Sequence, residues 1–351
     1  MLYLRFAFMC KDKGSEVRAR IAIVGAGPAG LAAAGYLACA GAEVDVYDKL
    51  PTPGGMMMFV IPPYRIPRDN VMEGIEDLEK RMSVKFITRT KVFEGEVRHD
   101  EGDEFVERTV PLSKLVEEYD AVLISTGTWR SRRMGVENED ARGVYTALEF
   151  IYWWYLYDAK LYNKRPEMGR KVVVIGGGLS AVDAAETALR KGAEEVHLLY
   201  RRTIREAPAG AYEIKRLIRE GINWMELVQP KRIIVENGAV AGIEMVRMRL
   251  GPPDESGRPR PIPIEGSEFV IEADTVIAAV GELPTPPMQS EALGIKLDRR
   301  GRIQVDRFWR AAPKVYAAGD VVTGPSMVGK ATGSGLRAAR SIALSLRSVR
   351  I

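Results

Sequence analysis

The stretch Ile21-Ala-Ile-Val24-Gly25-Ala-Gly27-Pro-Ala-Gly30 decides the fold class. Its four apolar residues form a short buried-strand run that enters a glycine-rich turn. An alanine-rich stretch with helical character follows from Leu31 to Ala40, and Gly41 stops it. A second strand, Glu43 to Tyr47, then ends at Asp48. Strand, glycine turn, helix and strand in this order open a parallel βαβ fold.

The pattern recurs later in the chain. Val172 to Ile175 enters Gly176-Gly-Gly178-Leu-Ser-Ala181, a helix runs on to Arg190, and after Gly192 the strand Val196 to Tyr200 ends at Arg201-Arg202. In each copy the first glycine allows a tight turn and the second lets the backbone approach a pyrophosphate. The third position is small so that helix and strand pack closely. The helix N-terminus offers free N–H groups and a partial positive charge to phosphates. Each copy is therefore a candidate dinucleotide site.

The copies differ at the end of their second strand. In the first, Asp48 is placed for a carboxylate to accept hydrogen bonds from ribose hydroxyls. In the second, Arg201 and Arg202 occupy the corresponding place after Gly176. A carboxylate there would repel a 2′-phosphate, whereas a guanidinium binds it in bidentate fashion, so the second site reads as NADP-binding. Tandem sites imply a relay between a tightly held flavin and a nicotinamide that comes and goes.

The rest of the composition excludes several alternatives. Cys10 and Cys39 are the only cysteines, and no CxxC occurs. That removes a four-thiolate iron–sulfur or zinc site and a vicinal redox disulfide. With His99 and His197 the only histidines, a metal centre or histidine-based triad has almost nothing to be built from. We assign no metal ligand and no catalytic side chain.

The net charge of +4 is spread along 351 residues without a basic tail. It leaves room for an acidic protein partner and does not argue for nucleic acid. No apolar run reaches the roughly 18–20 residues of a membrane span, and Met1 to Cys10 lacks the features of a signal peptide, so a cytoplasmic location is expected. That first stretch reads as a frayed or strand-adding terminus. The low content of glutamine and asparagine, 3 and 5 residues, hints at a heat-adapted source.

Further motifs point to a family. Pro53-Gly54-Gly55-Met56 leads into Ile61-Pro-Pro-Tyr64-Arg65-Ile-Pro67, and Asp120-Ala-Val-Leu-Ile-Ser-Thr126-Gly127 comes later. Tyr200-Arg-Arg-Thr-Ile-Arg-Glu-Ala-Pro208, Ala278-Ala-Val-Gly281-Glu282-Leu-Pro284 and Val315-Tyr-Ala-Ala-Gly319-Asp320-Val-Val follow in order. From about Arg20 to about Ile342 the chain resembles the small, flavin-bearing subunit of NADPH-dependent glutamate synthase and its relatives in the pyridine nucleotide–disulfide oxidoreductase superfamily.

The resemblance implies an α/β fold of two Rossmann-like, three-layer ββα dinucleotide-binding domains. The NAD(P) domain, 141–284, would be inserted into an FAD domain of 18–140 plus 285–351, preceded by a 1–17 extension. Gly25, Gly27, Pro28, Ala29, Gly30, Asp48 and Lys49 would hold the adenosine and pyrophosphate of FAD, with Val92 at the adenine. Gly55, Met56, Arg65, Thr126, Gly127, Gly319, Asp320 and Val328 would complete that site, the Val328-Gly329 helix start favouring the negative charge of a reduced flavin near N1. Gly176, Gly178, Leu179, Ser180, Arg201, Arg202, Gly281 and Glu282 would hold NADP(H). The family usually has glutamate where Asp48 stands.

The resemblance further implies an FAD-dependent NAD(P)H oxidoreductase that passes electrons from NADPH through FAD to an acceptor or partner subunit. Two other readings stand beside it. One is a stand-alone NADPH:ferredoxin reductase resembling adrenodoxin reductase, or a quinone reductase. The other, from another class, is a non-catalytic cofactor-binding scaffold. Glutamate synthase small subunits carry an N-terminal domain with cysteines for iron–sulfur clusters, and this sequence begins shortly before the first flavin strand without them. Any cluster is thus expected in a partner, or the acceptor takes electrons straight from the flavin, and homo-oligomerisation stays open.

Two segments stand outside these assignments. Gly251 to Pro261 is turn-rich and reads as a solvated loop joining two strands, without a function. Between Phe150 and Tyr162, seven of 13 residues are aromatic (Phe150, Tyr152, Trp153, Trp154, Tyr155, Tyr157, Tyr162). A helix aromatic on all sides is either buried between the domains or a docking surface.

Overall fold

The computed structural model describes residues 5–254 and 257–348. Met1–Leu4 of the N-terminal extension and Glu255 and Ser256 of the turn-rich loop lie outside the described residues. The chain divides into two compact units, one of Met1–Arg130 with Glu282–Ile351, the other of Ser131–Gly281.

The first unit begins β1 (Arg20–Val24), α1 (Pro28–Ala40), β2 (Glu43–Tyr47), α2 (Met56–Phe59), α3 (Arg68–Lys80), β3 (Lys85–Ile87). A short parallel pair, β4 (Thr90–Val92) and β5 (Arg108–Val110), leads to α4 (Leu112–Glu118) and β6 (Ala121–Ile124). Strands β1 and β6 are buried almost throughout, as apolar runs covered on both faces should be.

The second unit contains β7 (Val144–Thr146), α5 (Ala147–Asp158), β8 (Lys171–Ile175), α6 (Leu179–Arg190), β9 (Glu195–Tyr200), α7 (Ala211–Arg219) and β10 (Asn223–Glu226). An antiparallel group follows: β11 (Val228–Glu236), β12 (Ala239–Pro253), β13 (Pro259–Pro263) and β14 (Phe269–Glu272), before β15 (Thr275–Ala278) returns to the parallel sheet. That sheet is ordered β10-β9-β8-β15-β7 and is parallel throughout. Val173, Ile175 and Leu199 on its one face pack with Val228, Ile233, Ile243 and Met245 of the antiparallel layer.

The aromatic helix α5 belongs to this unit. Phe150, Tyr152, Trp154 and Leu156 are buried, while Tyr157 and Tyr162 are exposed. It starts with a capping box: Thr146 Oγ1 accepts from the Glu149 N–H, and the Thr146 N–H donates back to the Glu149 carboxylate. Its partners include α6 and β7.

The chain closes with β16 (Arg310–Ala312), β17 (Val315–Ala317), α8 (Asp320–Thr323) and α9 (Val328–Ser348). The first unit's sheet is ordered β16-β17-β6-β1-β2-β3, parallel except at β16. Helix α9 lies against α1 at close range, because a Cβ on Gly335 would stand 2.1 Å from Ala29 O.

Among the described residues, 5–17 do not add a strand. The Gly14 N–H donates to Cys39 O, the Val17 N–H donates to Ala40 O, and Cys10 is disulfide-bonded to Cys39. Arg81, which caps the end of α3 and is itself paired with Asp77, donates to the carbonyls of Ala7, Cys10 and Lys11. Phe6, Ala7 and Val17 are buried, with the Phe6 backbone close against Gly35 of α1. Among the described residues no helix is long and apolar enough to cross a membrane.

Candidate functional site

In the first unit the residues converge on the carboxyl end of the sheet, where open α/β sheets bind ligands. Gly25 leaves β1 with φ +102°, a conformation that L side chains rarely adopt, and its N–H donates to Tyr47 O at 2.8 Å. A Cβ on Gly30 would stand 2.0 Å from Gly25 O, so only glycine lets α1 start against the turn. Among the described residues nothing lies within 4 Å of where a Gly27 Cβ would sit. The helix start and the Gly27 backbone thus border open space, with Pro28 and Ala29 forming the first turn.

Asp48 is buried beside this loop. One carboxylate oxygen accepts from the Ala26 N–H at 2.6 Å and the other from the Leu50 N–H at 2.8 Å. Burial pushes its carboxyl above the ordinary carboxylate range, while the Leu50 and Ala26 N–H groups and then Lys49 oppose that. Each oxygen has further lone-pair capacity, so Asp48 both shapes the turn and can still accept a ribose hydroxyl.

The Pro53–Met56 segment docks on the same loop. The Gly54 N–H donates to Ala26 O at 2.8 Å, and a Gly55 Cβ would stand 2.9 Å from Gly27 Cα. Met56 starts α2, and Arg65 sits partly buried in the following turn, its N–H donating to Pro62 O. Thr126 and Gly127 lie just past β6. Thr126 Oγ1 is buried without a hydrogen-bond partner among the described residues. An orphaned polar atom at the carboxyl edge of a sheet calls for a ligand atom.

On the other side, the Gly319 N–H donates to the buried Ser334 hydroxyl of α9 at 2.8 Å. Asp320 accepts from the Ser326 hydroxyl at 2.6 Å and the Ser326 N–H at 3.1 Å, and partial burial raises its carboxyl above the usual range. Val328 opens α9. The open Gly27 face, the unpartnered Thr126 hydroxyl and two helix starts fit an elongated dinucleotide with a pyrophosphate.

Lys49 and Val92 lie in the same unit. Val92 is buried in β4. Lys49 donates to the Glu101 carbonyl and the Asp103 carboxylate, and its ammonium lies 5.2 Å from the Trp129 ring centroid. Lys91 pairs with Asp103 and Asp100 in the same cluster. Lys49 is thus spent on the protein's own carboxylate, an arrangement set by residues remote from it in sequence.

In the second unit a Cβ on Gly176 would stand 2.3 Å from Ala279 O, and one on Gly177 2.6 Å from the Tyr200 ring. Gly178 caps α6 with nothing near its Cα face among the described residues, and Leu179 and Ser180 form the first turn. The loop after β9 returns over the glycines, the Ala209 N–H donating to Gly177 O at 2.9 Å. Gly281, at φ +109°, follows β15 and its carbonyl accepts from the Arg132 N–H. Glu282 is assigned to the first unit.

The arginine pair is split. Arg201 is exposed, and burial of part of its side chain and then Arg202 hold its guanidinium below the ordinary range. Arg202 is only 2% exposed; it donates from Nε to Pro259 O at 2.8 Å and pairs with Asp254 at 2.6 Å.

Sequence reasoning missed Thr285, Ser334 and Gly335. Thr285 is buried, its N–H donating to Gly127 O while its Oγ1 accepts from the Trp129 N–H, which fixes the Gly127 turn. The only available signal was the small-residue triplet Gly333-Ser334-Gly335 in a helix.

Comparisons with known proteins follow the same lines. The family model "Pyridine nucleotide-disulphide oxidoreductase" matches residues 19–335. The beta subunit of the NADP(+)-dependent formate dehydrogenase of Moorella thermoacetica is 40% identical over 93% of this chain and 44% of its own length. The glutamate synthase [NADPH] small chain of Escherichia coli (strain K12) is 36% identical over 92% of this chain and 68% of its own. The chain spans about half the length of the first curated relatives it matches. Among solved structures, FprA of Mycobacterium tuberculosis in complex with NADPH superposes with a TM-score of 0.77 at 21% identity, covering 95% of this chain and 85% of that one. This last likeness is one of fold.

Proposed function

The chain belongs to the pyridine nucleotide-disulphide oxidoreductase family, and on that premise we propose that it is an FAD-dependent NAD(P)H oxidoreductase carrying electrons from NADPH to an acceptor. The observation that carries the reading is the pairing of two unlike cradles on one chain: a first glycine turn closed by Asp48, and a second followed by Arg201. A carboxylate suits an unphosphorylated ribose, and a guanidinium suits a 2′-phosphate.

Bound FAD would supply the ring that takes hydride from the nicotinamide and passes electrons on. The chain's own residues bind and orient. The α1 start and the Gly27 backbone take the pyrophosphate, Asp48 takes the ribose, and Thr126 offers its hydroxyl. Asp320 and the first turn of α9 border the remaining length, with Gly55, Met56, Arg65, Gly127 and Gly319 shaping the walls. At the second cradle the α6 start, Leu179, Ser180 and Gly281 hold the nucleotide and Arg201 recognises its phosphate. No side chain of this set needs to act as an acid or base for hydride transfer.

The acceptor is a partner protein or subunit. Support comes from the relatives of Moorella thermoacetica and Geobacter sulfurreducens, which are named as beta subunits and are about twice as long as this chain. A cytoplasmic setting suits NADPH use, and intracellular disulfides such as Cys10–Cys39 accord with a heat-adapted source.

Reconstitution tests the reading. Protein refolded with FAD should bind about one FAD per chain and reduce ferricyanide with NADPH. A folded protein that retains no FAD would overturn it.

A further inference from the structure

Ser334 lies in the second turn of α9, between Gly333 and Gly335, and is only 1% exposed. Its hydroxyl bonds in both directions. It donates to Ala331 O at 2.7 Å, the local bond a helix offers any serine. It also accepts from the Gly319 N–H at 2.8 Å, across a sequence separation of 15. The first bond gives no reason for a serine, because alanine is the better helix former and buries no polar group. The second bond does, since alanine would leave the buried Gly319 N–H without its acceptor.

Gly319 turns at φ +76°, and a Cβ there would stand 3.0 Å from Ala29 Cβ in the first turn of α1. Gly335, next to Ser334, approaches the carbonyl of the same Ala29. Ser334 therefore joins α9 to the Gly319 turn at the point where both abut the α1 start. The segment it closes carries Asp320, tied to Ser326, and the Val328 start of α9.

We propose that Ser334 is a positioning residue for the cofactor: its hydroxyl presets the Gly319 turn, and through it the Asp320 carboxylate and the start of α9, against the first cradle. This role rests on the FAD reading of that cradle and deepens it with a residue that need not touch the ligand. Without the hydroxyl the turn relaxes in the apoprotein to hydrate its N–H. Binding must then restore it, so the cost falls on affinity.

The test is titration of the apoprotein with FAD, followed by flavin fluorescence well below the unfolding midpoints. Ser345→Ala is the matched control, on the same helix about 16 Å further along. There the Ser345 hydroxyl donates to Ile342 O at 2.8 Å and accepts from the Tyr316 hydroxyl at 3.0 Å. Ser334→Ala should weaken FAD about tenfold, ~1.4 kcal/mol, and Ser345→Ala less than about twofold. Ser334→Thr, which keeps the hydroxyl, should recover most of the loss. Lower melting midpoints for both alanine variants with both FAD affinities unchanged would show a structural role alone and overturn the proposal. Amide hydrogen exchange needs no variant: in the unaltered apoprotein the Gly319 N–H should be protected before FAD is added. Exchange there at the rate of an open loop would contradict the preset turn. Failure of the unaltered protein to bind FAD would instead remove the cofactor reading, and this role with it.

Discussion

Asp48 grips Ala26: its carboxylate oxygen lies 2.6 Å from the backbone nitrogen of the residue inside the first glycine turn, while its other oxygen holds the Leu50 N–H. The residue expected to read the ribose is also the clasp that closes the turn around it. Asp48→Ala leaves two backbone donors without their acceptor, and buried donors left unpaired cost about 1–3 kcal/mol each. Urea unfolding of the apoprotein should therefore show a loss of about 2 kcal/mol or more with no flavin present. An unchanged urea midpoint would mean that the clasp does not hold the apoprotein.

The contact between α1 and α9 makes a second prediction. Gly335→Ala puts a Cβ 2.1 Å from Ala29 O, where backbone must shift, and overpacking costs about 1–3 kcal/mol. Gly333→Ala in the same helix has nothing near it among the described residues, so helix propensity should stabilise it by about 0.5–1 kcal/mol. Thermal melts of the two variants should move in opposite directions. Equal shifts would deny the close crossing.

The Asp103 cluster supplies a pH dependence. Burial raises the Asp103 carboxyl, but Lys49 and then Lys91 outweigh it and hold the group below its usual range. A carboxyl depressed in the folded state adds stability above its unfolded pKa of about 3.9 and loses it as pH falls through the folded value. Asp103→Asn should cost about 3 kcal/mol near pH 7, and the gap to the unaltered protein should shrink below about pH 4. A gap that is constant from pH 7 to pH 3 would be inconsistent with an ionised Asp103.

The disulfide joins Cys10 to Cys39 across a sequence separation of 29. A cross-link of that span is worth about 3–4 kcal/mol through the unfolded chain. Reduction, or Cys39→Ala, should lower the midpoint of thermal unfolding markedly, and the double variant Cys10→Ala with Cys39→Ala should add nothing under reducing conditions. An unchanged midpoint on reduction would show that the bond does not fasten residues 5–17.

These features differ in how far the sequence reveals them. Both strand–glycine–helix units are local, since turn, cap and strand follow one another directly along the chain, and periodicity exposes them. Gly30 and Gly176 are legible because the motif itself explains their size. Arg202 is not, because its fate depends on Asp254 and Pro259, brought to it only by the hairpin. Lys49 likewise follows from Asp103, remote from it in sequence. Thr285 and Ser334 are ordinary residues until the fold sets them against Gly127 and Gly319. What pairing across the sheet and the hairpin decides, a pass along the chain does not display.

Anaerobic stopped-flow mixing of the FAD-loaded protein with NADPH, and separately with NADH, tests the central claim most directly. The account predicts rapid bleaching of the oxidised flavin band, with NADPH well ahead of NADH. A visibly yellow protein that neither nucleotide bleaches would contradict it, because the second cradle would then deliver no hydride.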